Sequence, residues 1–275
     1  MTQSKTKGSL IIIGGHEDKE GQRVILNEVA ARVKKRKGCL AIVTVASSLP
    51  QELASGYRKV FKELGVDDVQ HVDVRIREDA TSEENVQRVV NASVIFFTGG
   101  DQLRITSQIG DSPLFRCMRD MHIAGGTIVG TSAGAAAMSE TMLISGPGDK
   151  SNEIFTLGMA PGLGFIDGVV VDSHFAERGR MGRLLGAVAQ NPRNLGLGID
   201  ENTAVITNGD GTIRILGSGA VYVVDGSDVA YSSLSDENPE GMLSIFGIKL
   251  DVLREGDVYD LPGRRPLIPE MAGQR

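Results

Sequence analysis

Short continuous apolar runs alternate along this chain with longer stretches whose apolar positions recur every three or four residues, a rhythm that predicts strands alternating with helices. Residues 9–13 read Ser-Leu-Ile-Ile-Ile and stop at Gly14-Gly15, the pattern of a strand buried on both faces that ends in a tight turn. Residues 22–33 follow with Val24, Ile25, Val29, Ala30 and Val33 on one helical face, and the basic run from Lys34 to Lys37 complements the helix C-terminus. The alternation then repeats: strand 39–44, helix 51–64, strand 69–74, helix 82–91, strand 94–98. Residues 102–124 hold one or two helices, broken near Asp111-Ser112-Pro113, and a fifth strand at 127–130 runs straight into Ser132. Strands that alternate with helices predict a mostly parallel sheet with right-handed crossovers.

The pattern weakens beyond Met138 until a β-branched strand at 169–171, which leads into Asp172-Ser173-His174 and a helix over 178–190. Another strand at 195–199 ends at Asp200-Glu201. From residue 203 onward, short strands at 204–207, 212–216 and 221–224 are separated by Asn208-Gly209, Asp210-Gly211 and Asp225-Gly226, which are hairpin signals. The expectation is one α/β domain across all 275 residues. Its parallel, helix-flanked core at 8–201 carries the site, an antiparallel extension covers 202–262, and 263–275 form a tail.

Composition narrows the class of partner. Aromatic residues make up 4% of the chain, with no Trp, too few for a platform that stacks nucleobases, and a net charge of −6 repels phosphate backbones and anionic lipid. Neither nucleic acid nor membrane is an expected partner, and the polar start with no long apolar run makes the cytoplasm the expected location. Cys39 and Cys117 lack nearby Cys or His at metal spacing and are expected as buried thiols; no metal or organic cofactor is expected.

The chemistry concentrates where strands end. Gly130-Thr131-Ser132-Ala133-Gly134 matches the nucleophile elbow, in which small neighbours allow a strained turn that lifts a serine above the sheet edge. A buried strand enters the turn and an Ala-rich stretch leaves it, so Ser132 also stands at an expected helix N-terminus, where its other reading is a helix-capping serine. A serine nucleophile needs a base, and the chain offers His16, His71, His122 and His174. His71 is read at the N-terminal edge of its strand and His122 at the close of a helix, so both are expected to be structural. His174 is preferred over His16, which either lines the pocket or caps the first helix with Glu17 and Asp18.

For the carboxylate that holds the base, Glu201 is preferred over Asp172, which is too close to His174 in sequence to align easily. The oxyanion donors expected are the Ala133 N–H and one from Gly99-Gly100-Asp101, nominally Gly100. Arg178, Arg180 and Arg183 cluster at the start of a predicted helix, where the dipole disfavours cations. They read either as a carboxylate-binding pocket or as a salt-bridged surface with Glu177 and Asp172.

Taken together, Gly14 to Asp18, Phe97 to Gln102, Gly130 to Ala135, Asp172 to Phe175 with Arg178 to Arg180, and Gly198 to Glu201 make the whole chain resemble the cyanophycinases. These are serine-type exopeptidases of the peptidase S51 group, which also contains the aspartyl dipeptidases. The resemblance implies a fold related to the class I glutamine amidotransferases and a triad of Ser132, His174 and Glu201. It also implies a substrate pocket using Gln102, Asp172, Ser173, Arg178, Arg180 and Arg183. Where the family usually has Gln before this His, Ser173 supplies a shorter polar side chain. The implied substrate is cyanophycin, a poly-aspartate with arginine on each β-carboxyl, released as β-Asp-Arg dipeptides by a homodimeric enzyme. The alternatives are an α-aspartyl dipeptidase of the same group, which generally lacks so long a C-terminal extension, and a non-catalytic amidotransferase-like binding domain, whose relatives carry Cys at the nucleophile position.

Overall fold

The apolar run at residues 9–13 forms a strand, β1 (Ser9–Ile13), whose alternate side chains serve two different cores. Leu10 and Ile12 point into one layer and Ile11 and Ile13 into the other, none of them more than 3% exposed. The computed structural model describes residues 8–144, 157–235 and 243–268.

β1 divides a nine-stranded sheet into two halves. On one side run β5 (Thr127–Thr131), β4 (Ala92–Phe97), β2 (Cys39–Val43) and β3 (Val69–Val72), all parallel, as the alternating pattern predicts. On the other side lie β10 (Thr203–Thr207), β11 (Thr212–Gly217), β16 (Val258–Asp260) and β17 (Arg265–Leu267), all antiparallel. Helices α1 (Val24–Arg36) and α2 (Pro50–Glu63) cover one face, where Leu26, Val29, Tyr57 and Phe61 share a core with Ile11 and Ile13. The opposite face carries α3 (Glu83–Val90), α4 (Gln102–Ile109) and α5 (Pro113–Ile123). The break expected near Pro113 is real: Ser112 caps α5 by accepting the Phe115 N–H, and Pro113 opens the helix where its missing N–H costs nothing.

The later strands do not all join this sheet. Because β10 occupies the edge beside β1, β8 (Val169–Ser173) and β9 (Leu195–Ile199) form a second sheet with β12 (Val221–Asp225) and β15 (Lys249–Leu253), in the order β15-β12-β9-β8. Its inner face shares the core of Ile12, Val205 and Ile215 through Val171, Leu197 and Val223. Its outer face is covered by α7 (Met181–Gln190). Two small ribbons complete the strands, β6 (Thr141–Ile144) with β7 (Gly158–Pro161) and β13 (Tyr231–Ser232) with β14 (Ile245–Phe246).

The residues after 202 are thus woven into both sheets. Nor do residues 263–275 begin as a tail: β17 pairs with β16, and the Arg264 guanidinium donates to the Asp225 carboxylate and the Arg193 carbonyl, while 269–275 lie outside the described residues. Cys39 is buried, and burial pushes its thiol up to about 11, whereas Cys117, expected to be buried, is half-exposed on the side of α5. Among the described residues no helix is long and apolar enough to cross a membrane.

The two sheets meet at Gly14. Its N–H donates to the Thr203 carbonyl at 2.9 Å, its carbonyl accepts the His174 N–H at 2.8 Å, and a Cβ there would sit 2.1 Å from the Asp200 carbonyl oxygen. Gly14→Ala is expected to cost about 3 kcal/mol, at the upper end for overpacking against backbone that cannot retreat. Gly56→Ala in α2, with nothing within 4 Å of the added methyl, is expected to gain up to about 1 kcal/mol. Guanidinium unfolding of the two variants checks both values.

Candidate active site

The glycines of the elbow are required by contact. A Cβ on Gly130 would lie 2.4 Å from the Gly134 carbonyl oxygen, and one on Gly134 would lie 2.5 Å from that of Phe97. With both positions bare, β5 turns sharply at Ser132, which takes φ 55 and ψ −112, a strained conformation for a residue with a side chain. The Ala-rich stretch after it is a helix of a single turn, α6 (Ala133–Ala136), so the helix N-terminus expected at Ser132 is present but short, and local amide donors are what the turn supplies. Ser132 makes no side-chain capping bond. Its Oγ donates instead to His174 Nε2 at 2.8 Å.

His174 arrives from the second sheet. It follows β8 in a left-handed conformation, φ 49, and its N–H is held by the Gly14 carbonyl. The next residue, Phe175, is buried against Gly198 of β9, where a Cβ would come within 2.6 Å of the ring; the bare strand lets the turn lie flat. Asp200 fastens the same turn, accepting the Ala176 N–H at 3.0 Å on one oxygen and the Ala220 N–H at 3.0 Å on the other. Glu201 then places Oε1 2.6 Å from His174 Nδ1. With Nδ1–H donated to the carboxylate, the Nε2 lone pair faces the serine hydroxyl, the tautomer a general base requires.

Burial holds the His174 pKa below the ordinary imidazole value, and the nearby charge of Arg178 adds to this, against the opposing pull of Glu201. Partial burial raises the Glu201 carboxyl, but its hydrogen bonds from His174 and His16 outweigh that and keep it below the usual range. His174 is therefore neutral and the Glu201 carboxylate ionised at pH 7.

The loop after β4 lies against Ser132. A Cβ on Gly99 would sit 3.3 Å from that of Ser132, and Gly100, at φ 142, packs so close to the Ala46 carbonyl that a Cβ would fall 2.0 Å from its oxygen. The Asp101 N–H is taken by that same carbonyl, whereas the N–H groups of Gly100 and Ala133 have no partner among the described residues. Serine, imidazole and carboxylate in hydrogen-bonded series, with free amides beside the serine, form an arrangement suited to acyl transfer.

The model of peptidase family S51 matches residues 10–215. The chain belongs to peptidase family S51. It is 37% identical over 256 residues to the cyanophycinase of Synechococcus elongatus, covering 93% of this chain and 80% of that protein. It is 36% identical over 268 residues to the cyanophycinase of a Nostoc species, covering 97% and 90%. The crystal structure of a peptidase from an acI-B1 actinobacterium shares the fold with a TM-score of 0.70 at 22% identity, over 92% of this chain and 97% of that one.

In this S51 peptidase the other residues singled out from sequence separate into different roles. Asp172 is buried, and its Oδ1 accepts from Arg180 Nη1 at 3.0 Å, from Arg183 Nη2 at 3.0 Å and from the Ser173 N–H at 3.1 Å. Burial pushes this carboxyl up and the two guanidinium groups pull it back. Arg180 also donates to the Ser173 carbonyl at 2.6 Å, so Ser173 takes part through its backbone. Of the two readings of the arginine cluster, the salt-bridged one describes Arg180 and Arg183, except that the pairing is internal. Helix α7 begins only at Met181, which leaves Arg178 in the preceding turn, exposed and with no side-chain partner among the described residues. Gln102 opens α4 and donates Nε2–H to the Leu143 carbonyl at 2.8 Å.

His71 hydrogen-bonds Thr44 Oγ1 at 2.8 Å, and His122 is buried edge-on against Phe165. His16 is not a helix cap, since α1 starts at Val24; its Nδ1–H donates to Glu201 Oε2 at 2.8 Å. His16, His174 and Glu201 bring ligand atoms within 4.8 Å of one another, a spacing their mutual hydrogen bonds explain without a metal. Sequence reasoning also passed over Glu17, buried beneath the elbow, which accepts from Thr131 Oγ1 at 2.7 Å and from the Tyr57 hydroxyl. The signal available was an unbroken polar triplet, His16-Glu17-Asp18, directly after a buried strand and two glycines.

An organofluorophosphonate is expected to label Ser132, with a rate that rises as His174 loses its proton at a pH below the ordinary imidazole value of about 6.5. Glu201→Gln is expected to slow labelling by about 10³-fold or more with the far-ultraviolet spectrum unchanged, because the amide cannot stabilise the imidazolium. Mass spectrometry of the labelled peptide across pH checks both.

Proposed function

We propose that this S51 peptidase is a serine-type exopeptidase that hydrolyses cyanophycin to β-Asp-Arg dipeptides through an acyl-enzyme on Ser132. The observation that carries the reading is the sorting of the arginines. Arg180 and Arg183 pair with Asp172, and Arg178, beside His174, has no side-chain partner among the described residues. An uncommitted guanidinium next to a serine nucleophile is a receptor for a substrate carboxylate. The substrate class is supported by the cyanophycinase relatives, which match over almost the whole chain.

In a poly-aspartate with arginine on each β-carboxyl, β-Asp-Arg is released only when the main-chain amide is cut. Ser132 Oγ therefore attacks the main-chain carbonyl carbon of an aspartate while His174 Nε2 takes the hydroxyl proton. The Gly100 and Ala133 amides receive the oxyanion, and His174 returns the proton to the departing main-chain amine. Water, deprotonated in turn by His174, then hydrolyses the acyl-enzyme and regenerates Ser132. Each branch arginine keeps its own α-carboxylate, the group Arg178 is placed to hold. The buried Asp172, Arg180 and Arg183 cluster supports the turn from which Arg178 projects, while Gln102 and Ser173 act as supports through Leu143 and the backbone.

A cytoplasmic setting belongs to the same reading and suits the two free thiols. So does a homodimer, for which the outer strand β15 offers exposed Leu250 and Val252; sedimentation equilibrium at twice the chain mass is the expected result.

The test is release of β-Asp-Arg from purified cyanophycin, followed by chromatography, with an α-Asp dipeptide as control substrate. Wild type is expected to release the dipeptide and Ser132→Ala to be inactive; cleavage of the α-Asp control alone would replace this reading with an α-aspartyl dipeptidase. Arg178→Ala is expected to lower kcat/KM by about 10- to 100-fold, mainly through KM, the size of one charge-assisted hydrogen-bonded pair.

A further inference from the structure

We propose that His16 is a second imidazole of this site, a positioning residue that holds Glu201 in the orientation His174 needs. The inference rests on the reading of Ser132, His174 and Glu201 as the catalytic series. It follows from how the carboxylate is shared. Glu201 Oε1 takes the His174 Nδ1–H at 2.6 Å and Oε2 takes the His16 Nδ1–H at 2.8 Å, so both oxygens are committed to imidazole donors. A carboxylate whose side chain is 26% exposed and bonded on one oxygen alone could swing about its last torsion; the second bond removes that freedom.

The chain goes to some cost to put His16 there. It takes the left-handed φ of 46, and its side chain is 74% exposed, so an ordinary surface contact would return little. Its ring meets that of His174 edge-on, with centroids 5.1 Å apart. Gly15 makes the approach possible, because a Cβ there would lie 2.3 Å from His174 Cε1. Two further bonds fasten the segment to the Glu201 turn: Asn202 N–H to the Gly15 carbonyl at 2.8 Å, and Asp18 N–H to Asn202 Oδ1 at 2.8 Å. The charged groups around the two rings are Glu201, Arg178 and Glu177, whose Oε1 accepts the Glu201 N–H at 3.2 Å. Glu17 on the same loop is turned inward to Thr131 and Tyr57.

Two consequences follow from this sharing. Without the His16 donor, the carboxylate is less well oriented and the rate falls. Its negative charge is also concentrated on His174, which favours the imidazolium, so the His174 pKa rises and the acid limb of the rate profile moves to higher pH.

The test compares wild type with His16→Ala and His16→Asn. The asparagine amide can reproduce the Nδ1 donor and tolerates a left-handed φ. Two readouts are used: the pH titration of the four histidine ring signals by NMR, and the rate of Ser132 labelling by an organofluorophosphonate. His16→Ala is expected to raise the His174 titration by on the order of half a unit. It is expected to slow labelling about tenfold at neutral pH, the rate equivalent of one hydrogen bond to a charged group, and His16→Asn is expected to restore most of that rate. The proposal is overturned if His16→Ala leaves both the titration and the rate unchanged, or if His16→Asn is no better than His16→Ala. Failure of the catalytic reading itself shows separately, as a Ser132→Ala protein that keeps hydrolysing substrate, and the NMR titration reports the linkage between His16 and His174 in either case.

Discussion

Three consecutive carbonyl oxygens, those of Ile13, Gly14 and Gly15, each accept one backbone amide: from Ser132, from His174 and from Asn202, the neighbour of Glu201. Three peptides at the end of β1 therefore set the spacing of Ser132, His174 and Glu201, which come from strands of two different sheets. The next residues continue the pattern with side chains, His16 to Glu201 and Glu17 to Thr131. Gly14 and Gly15 are bare because the chain they touch is the Asp200 backbone in one case and the His174 ring in the other. A strand end that is locked by its own burial on both faces is a rigid ruler, and the site inherits that rigidity.

Around this ruler the buried charges among the described residues each have a partner, which is the condition under which buried charge is tolerable. Asp172 is enclosed with Arg180 and Arg183, and Glu17 with the hydroxyls of Thr131 and Tyr57 and with Lys19 at 3.5 Å. Burial and the charge of Glu17 keep the Tyr57 hydroxyl well above its ordinary pKa, so it remains a donor. His174 faces Ser132 as a neutral imidazole, held so by its burial, and the exposed Arg178 beside it has no side-chain partner among the described residues.

The antiparallel strands after residue 202 are part of this construction. β10 pairs with β1 and carries the Thr203 carbonyl that receives Gly14, while the start of β12 is tied to the turn after His174 through Asp200. β10 takes the place beside β1, and β8 and β9, which lead to His174 and Glu201, pair in the second sheet, so that His174 Nε2 meets Ser132 Oγ from across the junction of the two sheets.

The sequence by itself determined the parallel core, because strands buried on both faces and helices with one apolar stripe leave a periodic record that needs no distant partner to read. It also marked the elbow at Ser132, through the glycine-serine-glycine spacing at the end of a buried strand, and it reduced four histidines to His174 and His16 by their place at strand ends. What only the tertiary structure decided are the pairings between distant residues. Glu201 is 185 residues from His16, and nothing local to either records that they meet. Arg178, Arg180 and Arg183 look alike in sequence; which of them pair with Asp172 and which stays exposed depends on where α7 begins and which guanidinium the fold buries. The division into two sheets was hidden for the same reason, because an apolar strand records how deeply it is buried but not which neighbour it hydrogen-bonds.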